Sequence, residues 1–567
     1  MREWIRKLEE KIENYDVITF DIFDTLIKRD CARPTDIFDI VSENYERQYN
    51  DRIDFRTKRF EAEKRFYQKS IDSTPTLKEI YEELDIDEEK KDILYGLELD
   101  VEYQYACPNA PIQSIYKKCK EQGKSVYAIT DMYLPKEQLV LMLKKCGYEV
   151  IDIFVSCEER ANKRSGELFN SFLKKTVIFN DDMLHIGDNY KSDILGASKC
   201  HIQSFLIPSQ ITNTCYYKIS KDRKVTWEDR FLYPYINNHV ALLNDRKSQI
   251  GFETFGPMVY GFCQWIHNMK IKYSIGKLLF CARDVYQTMQ IYKELYPEDK
   301  DCVEYLCVSL KSLKAPYEAV IGKDSSDYAN EQLKLIRIYL KQLGCKGKIA
   351  MVDSGFGGHT QSMLTAILDD TCELHGLYMR MSKKFHSNVV DKESFPYMFQ
   401  KKPSAKAYIS GGFFETLLSA PHGRTLGYKY SKNGCVEPVF GEKNPCAEIL
   451  EEFQRGISCF VTEWNYHEHN YHDISSDEIQ NAFLNLAFFP ERADIDELMN
   501  ITGGNDKYES IILQSNIKGM ARIRELLFGL RDTYWKGGYL GKNFKQYKFI
   551  SKIYLLIDEF ILNIVGF

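Results

Sequence analysis

Apolar and polar positions alternate along residues 1–208 in a way that predicts a parallel α/β sheet. Five short apolar runs read as buried strands, and amphipathic stretches between them read as helices. Strands that alternate with helices are typical of doubly wound parallel sheets. The predicted strands are 16–20, 124–130, 150–156, 183–187 and 202–208.

A long helical insert interrupts this alternation directly after the first strand. Residues 36–99 carry apolar positions three and four apart, with charged residues between them. We therefore expect a helical cap at about 31–111, placed to cover the end of the first strand.

The remaining chain is divided by the same patterns. Residues 209–250 are polar and irregular and are expected to be a linker. A second α/β domain is predicted at 251–400, and a mostly helical region at 401–567. The second domain's predicted strands are 277–282, 303–308, 348–353 and 373–381; the last helices are 447–466, 476–486, 517–534 and 550–564.

Composition narrows the class of protein. The net charge of -6 over 567 residues gives no global attraction to nucleic acid. The 16 cysteines are scattered and show neither a disulfide framework nor zinc-finger spacing. Many lie in apolar surroundings, where cysteine behaves as a small apolar residue, which favours a reducing compartment. No signal peptide and no apolar run long enough to span a membrane is evident, so we expect a cytoplasmic protein.

Polar residues follow several of the predicted strands of residues 1–208. Asp21 and Asp24 come after the first strand, although an Asp-x-x-Asp pair alone is equally consistent with a solvated turn. Carboxylates gathered at one sheet edge repel each other unless a cation lies between them, and oxygen ligands without His or Cys suit Mg²⁺. The residues expected at this edge are Asp21, Asp24, Thr130, Lys163, Asp188 and Asp193.

These residue types fit phosphoryl transfer. A carboxylate such as Asp21 forms aspartyl-phosphates, and Asp24 is placed to protonate a leaving oxygen and then activate water. Thr130 and Lys163 are expected to bind the phosphoryl group.

Four motifs in order resemble those of the haloacid dehalogenase-like hydrolase superfamily. They are Asp21-Ile-Phe-Asp24-Thr25-Leu26, Ile129-Thr130-Asp131, Lys163 with Gly166-Glu-Leu-Phe169, and Gly187-Asp188-Asn189-Tyr-Lys-Ser-Asp193. The resemblance implies a Rossmann-like fold with a C1 cap and magnesium held by Asp21, the Asp24 carbonyl and Asp188, with Asp193 in support. An acid at position 24 is typical of the superfamily's phosphatases and mutases.

Alternatives remain for several of these positions. Arg164 is a neighbour that could replace Lys163 as the phosphate ligand, and Asp131 reads as a turn residue. His185 lies inside a strand and fits a core histidine, while Asp193 also fits a helix cap. A retained but inactive site is a further alternative.

A second candidate site follows two strands of the second domain. A Gly-rich turn at a helix start can bind an anion, but glycine also serves tight turns. The strand end Ala282-Arg283-Asp284 and the loop Val352-Asp353-Ser354-Gly355-Phe356-Gly357-Gly358-His359-Thr360 resemble those of large dehalogenase-like hydrolases linked to bacterial surface polysaccharide synthesis, although Val285 departs from their usual Gly. The loop also faintly resembles the diphosphate loop of type I phosphoribosyltransferases, although Ser354 stands where that motif has its second acid. The candidate residues are Arg283, Asp284, Asp353, Gly355, Gly357, Gly358 and Thr360.

Two further patterns favour ordinary surface features. His467-Glu468-His469-x-x-His472 lacks the spacing of a zinc motif and fits a solvated helix end. The apolar tail 553–565 contains two acids, which favours a docking or homodimer helix over a membrane anchor.

The sequence therefore predicts a magnesium-dependent phosphatase acting on a small phosphorylated metabolite, with a sugar phosphate of polysaccharide synthesis as one such substrate. One alternative is a bifunctional enzyme whose second domain does transfer chemistry on a phosphorylated or nucleotide-linked substrate. Another is a non-enzymatic assembly protein that binds glycan-synthesis enzymes.

Overall fold

The computed structural model divides the chain into two compact units. The first unit comprises Met1–Thr214 and Ile219–Leu242, and the second comprises Cys215–Lys218 and Leu243–Phe567. The residues that the structure describes are 3–69, 74–209, 211–217, 225–355, 357–381, 393–399, 410–467, 472–503, 509–512, 530 and 533–565.

The first unit is built on a five-stranded parallel sheet with the order β5–β4–β1–β6–β7. Its central strand is buried along its whole length, as the apolar run before Asp21 predicts. A short antiparallel ribbon, β2 with β3, lies beside the sheet. The strands are β1 (Val17–Phe20), β2 (Ile27–Arg29), β3 (Ala106–Pro108), β4 (Ser125–Thr130), β5 (Ile153–Val155), β6 (Met183–Gly187) and β7 (Gln203–Leu206).

The predicted helical insert is present between the two strands of the ribbon. Arg59 is buried within it and pairs with the buried Glu98 at 3.1 Å, and Arg29 of the ribbon pairs with Glu102 at 2.8 Å. Breaking such a buried pair from one side costs about 3–5 kcal/mol, so these pairs hold the insert in place. The helices of the insert are α2 (Asp36–Tyr49), α3 (Phe55–Lys69), α4 (Leu77–Glu82) and α5 (Glu88–Tyr105).

The other helices of the first unit connect or flank the sheet strands. They are α1 (Glu3–Ile12), α6 (Ala110–Glu121), α7 (Lys136–Lys145), α8 (Ser156–Glu159), α9 (Glu167–Thr176), α10 (Leu195–Ser198) and α11 (Tyr233–His239).

The second unit contains another parallel sheet, with the order β12–β11–β10–β8–β9. The predicted fold class, two parallel α/β sheets followed by helices, is therefore confirmed. The strands of this unit are β8 (Lys277–Cys281), β9 (Val303–Leu306), β10 (Gly347–Asp353), β11 (Cys372–Tyr378), β12 (Ser394–Pro396), β13 (Thr425–Tyr430), β14 (Val436–Phe440), β15 (Thr502–Gly503) and β16 (Glu509–Ser510).

The helices of the second unit precede, connect and follow this sheet. They are α12 (Arg246–Ile250), α13 (Gly256–Tyr273), α14 (Tyr286–Leu295), α15 (Leu310–Val320), α16 (Asp327–Gln342), α17 (His359–Ile367), α18 (Gly411–Leu417), α19 (Ala447–Asn465), α20 (Ser476–Phe488), α21 (Arg492–Leu498), α22 (Lys536–Asn543) and α23 (Tyr547–Val565).

The structure differs from the sequence prediction in two places. Residues 228–242 and 246–250, expected to be irregular, form helices. Their buried aromatic and apolar side chains, including Phe231, Leu232 and Tyr235, supply an apolar face that the polar average of the segment conceals. In the region expected to be mostly helical, β13 and β14 form an antiparallel hairpin around Gly434, whose φ is 80°.

Some predictions lie outside the described residues. Most of the helix expected at 517–534 does so, as do residues 468–471 of the histidine-rich segment. Among the residues that are described, no helix is long and apolar enough to cross a membrane.

Candidate active site

The turn that follows β1 places two carboxylates at the carboxyl edge of the first sheet. Asp21 continues the strand, and its backbone N–H donates to the Ile186 carbonyl of β6 at 2.9 Å. Asp24 adopts a left-handed backbone with φ of 58°, which is rare for a side chain other than glycine. Asn109 fixes this turn, because its side chain donates to the Thr25 carbonyl at 2.8 Å.

Lys163 reaches this edge from the segment before α9. Its Nζ lies 2.7 Å from Asp21 Oδ1 and 2.5 Å from Asp193 Oδ1, and the side chain is only 2% exposed. The backbone N–H of Lys163 donates to Asp131 Oδ1 at 2.9 Å, which fixes the position of the Lys163 backbone. A Cβ on Gly196 would lie 2.1 Å from the Lys163 carbonyl, so only glycine fits there.

The loop after β6 supplies the remaining acids. Asp188 follows the strand, and the Thr25 hydroxyl donates to its Oδ1 at 3.4 Å. Asp193 lies in a π-helical turn and is fully buried. Its Oδ2 accepts the Asn189 N–H at 2.8 Å, and its Oδ1 lies 3.3 Å from His185 Nε2.

His185 is a fully buried core residue, as its place in a strand predicts, and it also contacts Asp193. Its Nδ1 lies 2.9 Å from the Thr19 hydroxyl, and its Nε2 faces Asp193. Burial lowers the pKa of His185, so the ring is neutral near pH 7 and holds Asp193 by a hydrogen bond. Spacing alone could not reveal this, because Thr19 and His185 meet only when β1 pairs with β6.

The carboxylates at this edge outnumber the buried ammonium group of Lys163. Burial raises the pKa of Asp21 to about 7, with Lys163 opposing the shift, and burial followed by the charge of Asp24 raises that of Asp188 to about 6. Burial acts against the charged form of Asp193, but Lys163 overcomes it and the pKa falls below its usual value. Burial likewise opposes the charge of Lys163, but Asp21 and Asp193 raise its pKa. A second cation would relieve the repulsion that remains.

Three of these carboxylates can approach a common ion. Oxygens of Asp21, Asp188 and Asp193 lie within 4.8 Å of one another. An all-oxygen donor set fits a hard divalent cation such as Mg²⁺ better than a transition metal. Because both oxygens of Asp193 already accept hydrogen bonds, Asp21 and Asp188 are the better placed ligands.

A cavity of about 500 Å³ opens over this group. The predicted residues Thr130 and Asp24 line it, and Arg164 lies on its rim as an exposed neighbour of the buried Lys163. Its other lining residues are Asp21, Phe23, Arg29, Pro34, Asp131, Met132, Tyr133, Lys163, Asp188, Asn189, Lys191 and Ser192.

The second predicted group is placed at the carboxyl edge of the second sheet. Arg283 and Asp284 follow β8, and Asp353 ends β10. Gly355, Gly357 and Gly358 lie between β10 and α17, and Thr360 is the second residue of that helix. Sequence patterns missed two residues of the same edge, the buried Arg380 and its partner Glu415, whose side chains meet at 2.9 Å.

Comparison with protein-family models matches residues 15–201 to haloacid dehalogenase-like hydrolases. This match supports a hydrolase of that superfamily for this segment, as the four motifs predict. The comparison with curated proteins finds no matching sequence.

Solved structures similar to this chain include three hydrolases of that kind. A 2-haloacid dehalogenase from Pseudomonas syringae pv. Tomato DC3000 is 14% identical over 34% of this chain and 86% of that chain, with a TM-score of 0.28. A haloacid dehalogenase-like family hydrolase from Xanthomonas campestris is 13% identical over 35% and 82%, with a TM-score of 0.25. A HAD phosphatase from Thermococcus onnurineus is 15% identical over 34% and 86%, with a TM-score of 0.25. Likeness at this level carries no argument about activity.

Proposed function

We propose that the first unit is a magnesium-dependent phosphohydrolase that acts through an aspartyl-phosphate. The observation that carries this proposal is the contact of Lys163 Nζ with Asp21 Oδ1 at 2.7 Å, beside Asp24 and Asp188 in one cavity. A buried lysine that faces a cavity beside a carboxylate can stabilise the negative charge of a phosphoryl group that is transferred to that carboxylate.

The metal site would use Asp21, Asp188 and the backbone carbonyl of Asp24. Bound there, Mg²⁺ would offset negative charge on the carboxylates and on the phosphoryl oxygens of the substrate. Asp193 holds Lys163 through its Oδ1, so we assign it the support of that lysine rather than a place next to the metal.

The proposed reaction has two steps. In the first, an Asp21 carboxylate oxygen attacks phosphorus, the bond from phosphorus to the leaving oxygen breaks, and Asp24 gives that oxygen its proton. In the second, Asp24 takes a proton from water, the water oxygen bonds to phosphorus, and Asp21 is released with inorganic phosphate. Thr130 and Lys163 hold the phosphoryl oxygens during both steps.

The helical insert would serve as the cap of this site. Arg29 and Pro34 at its base line the same cavity as Asp21, and a cavity of about 500 Å³ suits a small phosphorylated molecule. A sugar phosphate of surface polysaccharide synthesis is our proposed substrate, and a cytoplasmic location, contact with glycan-synthesis enzymes and homodimer formation remain proposals of the same kind.

The test is phosphate release from a panel of phosphorylated metabolites by the full chain, with Mg²⁺ and with a chelator. We expect release with Mg²⁺ only, and its complete loss in Asp21→Asn. If no member of the panel releases phosphate in a magnesium-dependent manner, the proposal fails. Release that survives Asp21→Asn would also exclude Asp21 as the nucleophile.

A second candidate function is transfer chemistry in the second unit. It is favoured by the cluster of arginines and carboxylates at the edge of its sheet, where Arg380 and Glu415 join the predicted Asp284 and Asp353.

A further inference from the structure

The second sheet has a crevice at the place where its connections diverge. β9 lies on one side of β8, and β10 lies on the other. The chains leaving β8 and β10 therefore run in opposite directions across the sheet, and we call the region between their carboxyl ends the crevice. Open α/β sheets bind ligands at this kind of switch point.

The chain leaving β8 enters this crevice in a strained conformation. Arg283 has a φ of 74°, which is unusual for a residue with a side chain. Two contacts hold it, since its N–H donates to the Tyr305 hydroxyl at 2.8 Å and its carbonyl accepts the Ala420 N–H at 3.2 Å. Residues that their surroundings hold in a strained backbone conformation are common at active sites and ligand-binding sites.

Asp284, the next residue, has an unused acceptor. Its Oδ2 accepts the Ser354 hydroxyl at 3.5 Å, whereas its buried Oδ1 accepts no hydrogen bond from the residues described. A buried carboxylate oxygen without a donor costs free energy. A hydroxyl group of a ligand at this point would satisfy it.

The chain leaving β11 adds a fixed cation to the same edge. Arg380 is fully buried, and its Nη2 donates to Glu415 Oε1 at 2.9 Å and to the Gly411 carbonyl at 3.2 Å. The guanidinium also lies 4.7 Å from the centre of the Phe414 ring. A Cβ on Gly355 would lie 2.1 Å from the Arg380 carbonyl, so the glycine brings the turn after β10 directly against this arginine.

The carboxylates of the crevice influence one another. Burial, and then the charge of Asp284, raises the pKa of Asp353 to about 7 and that of Glu415 to about 8. Burial also raises the pKa of Asp284. Among the residues described, the ligand atoms of Asp284, Asp353 and Glu415 do not all lie within 4.8 Å of one another. This spacing argues against a metal ion as the sole occupant. A ligand with several hydroxyl donors fits them better.

Half-buried rings stand beside Arg283. Tyr305 contacts His422 Nε2 through its hydroxyl at 2.7 Å, and its ring centre lies 5.4 Å from that of Tyr286. Such rings pack against the faces of sugars and bases. They lie next to the polar cluster, so one ligand can contact both.

We propose that this crevice binds a phosphorylated sugar, either free or as the ribose phosphate of a nucleotide. Asp284, Asp353 and Glu415 accept the hydroxyl groups of the sugar. Arg283 and the glycine turn before the nine-residue helix α17 take the phosphoryl group. Tyr305 and its neighbouring rings cover the sugar or base.

This proposal does not depend on the function proposed for the first unit, and its test separates the two sites. Calorimetric titrations would use the full chain carrying Asp21→Asn, without added metal, so that the proposed hydrolysis cannot consume a probe. The probes are inorganic phosphate, ribose 5-phosphate, glucose 1-phosphate and uridine monophosphate. Asp353→Asn and Arg283→Ala would be added separately, with Asp370→Asn, an exposed acid of the same unit, as the matched control.

We expect saturable binding of at least one sugar phosphate, weakened about ten-fold or more by Asp353→Asn and by Arg283→Ala and unchanged by Asp370→Asn. Tighter binding of uridine monophosphate than of ribose 5-phosphate would identify a nucleotide as the source. Tighter binding of glucose 1-phosphate would identify a free sugar phosphate. Either result supports the proposal.

Three titration results would overturn the proposal. They are no saturable binding of any sugar phosphate at millimolar concentration, binding that is insensitive to both crevice variants, and binding of inorganic phosphate as tight as that of every sugar phosphate. Hydrogen exchange on the chain with native crevice residues guards against variants that misfold. A bound probe should protect 282–286 and 353–360, and protection confined to the residues around Asp21 would count equally against the crevice.

Discussion

Lys163 and Asp193 meet inside the first unit through an ion pair of 2.5 Å, and the same ammonium group lies 2.7 Å from Asp21. One buried cation thus links the loop after β6 to the carboxylate at the end of β1. His185 and Asn189 hold the Asp193 carboxylate from two other directions. The position of Lys163 over Asp21 is therefore set by Asp193 as much as by its own backbone.

Replacing Lys163 with Met should remove nearly all activity. The change takes away the cation that faces the phosphoryl group, and we expect kcat/KM to fall by about 10²–10³. It also leaves two buried carboxylates unpaired, so the melting temperature should fall. Arg164→Met is the matched control, because that arginine is exposed beside the same cavity. Equal losses of kcat/KM in the two variants would restore Arg164 as an alternative phosphate ligand.

Asp24→Asn should slow turnover without disturbing the turn. Asn tolerates the left-handed φ of 58° found at this position, so the backbone is preserved while the acid/base group is lost. General acid–base groups contribute about 10²–10⁴ in rate, and we expect kcat to fall by that factor. With a substrate whose leaving group needs no protonation, rapid-quench measurements should show phosphate attached to the protein, because water is no longer activated. A variant that keeps the native kcat would exclude Asp24 from the chemistry.

The fold and part of this site could be predicted because the signals are local. The apolar run of β1 followed by Asp21 predicts a buried strand with a charged residue at its end. The same pattern recurs at β4, at β6 and at β10, which is followed by the Gly-rich turn. The alternation of such strands with helices specifies a parallel sheet. Strand ends of one sheet then lie together, which is why the candidate residues could be grouped before any contact was known.

What could not be predicted depends on residues that meet only through packing. Arg380 and Glu415 are far apart in the chain, and no sequence pattern joined them in one site, yet the fully buried Arg380 pairs with the half-buried Glu415 in the second crevice. His185 meets Thr19 only because β6 lies beside β1, and its other ring nitrogen then faces Asp193. The helices at 228–250 were missed for a related reason, since their buried faces pack against tertiary neighbours that the polar average of the segment does not reveal.

Asp188→Asn should weaken the binding of Mg²⁺. In the native protein we expect Mg²⁺ to raise the melting temperature of the first unit, because the ion offsets repulsion among Asp21, Asp24 and Asp188. The Asn variant removes one charged ligand, so the stabilisation by a fixed Mg²⁺ concentration should nearly disappear. Asp181→Asn, an exposed acid just before β6, should respond to Mg²⁺ as the native protein does. An Asp188→Asn protein with undiminished Mg²⁺ stabilisation would contradict this assignment of the site.

Glu79 joins the helical insert to the end of α8 in a manner that depends on pH. Its carboxylate accepts the Thr76 N–H at 2.8 Å as part of a capping box and pairs with Arg160 at 2.9 Å. The hydrogen bond from Arg160 is the main cause that lowers the pKa of Glu79 to about 2, from an ordinary value of 4.5. A carboxyl whose pKa is lowered by folding stabilises the protein above its unfolded pKa, and this contribution is lost as the pH falls from about 4.5 to about 2.

Glu79→Gln should therefore loosen α4 at pH 7 and have little effect at pH 2. The pair is partly exposed, so we expect a cost of about 1 kcal/mol rather than the full value that the pKa shift implies. Because a chain of two units need not unfold in one step, the readout is hydrogen exchange of the α4 amides, which should speed up about five-fold at pH 7. Glu82→Gln, an exposed change on the same helix, is the control and should leave exchange unaltered. If Glu79→Gln accelerated α4 exchange equally at both pH values, the stabilisation of the helix would not come from the charge of Glu79.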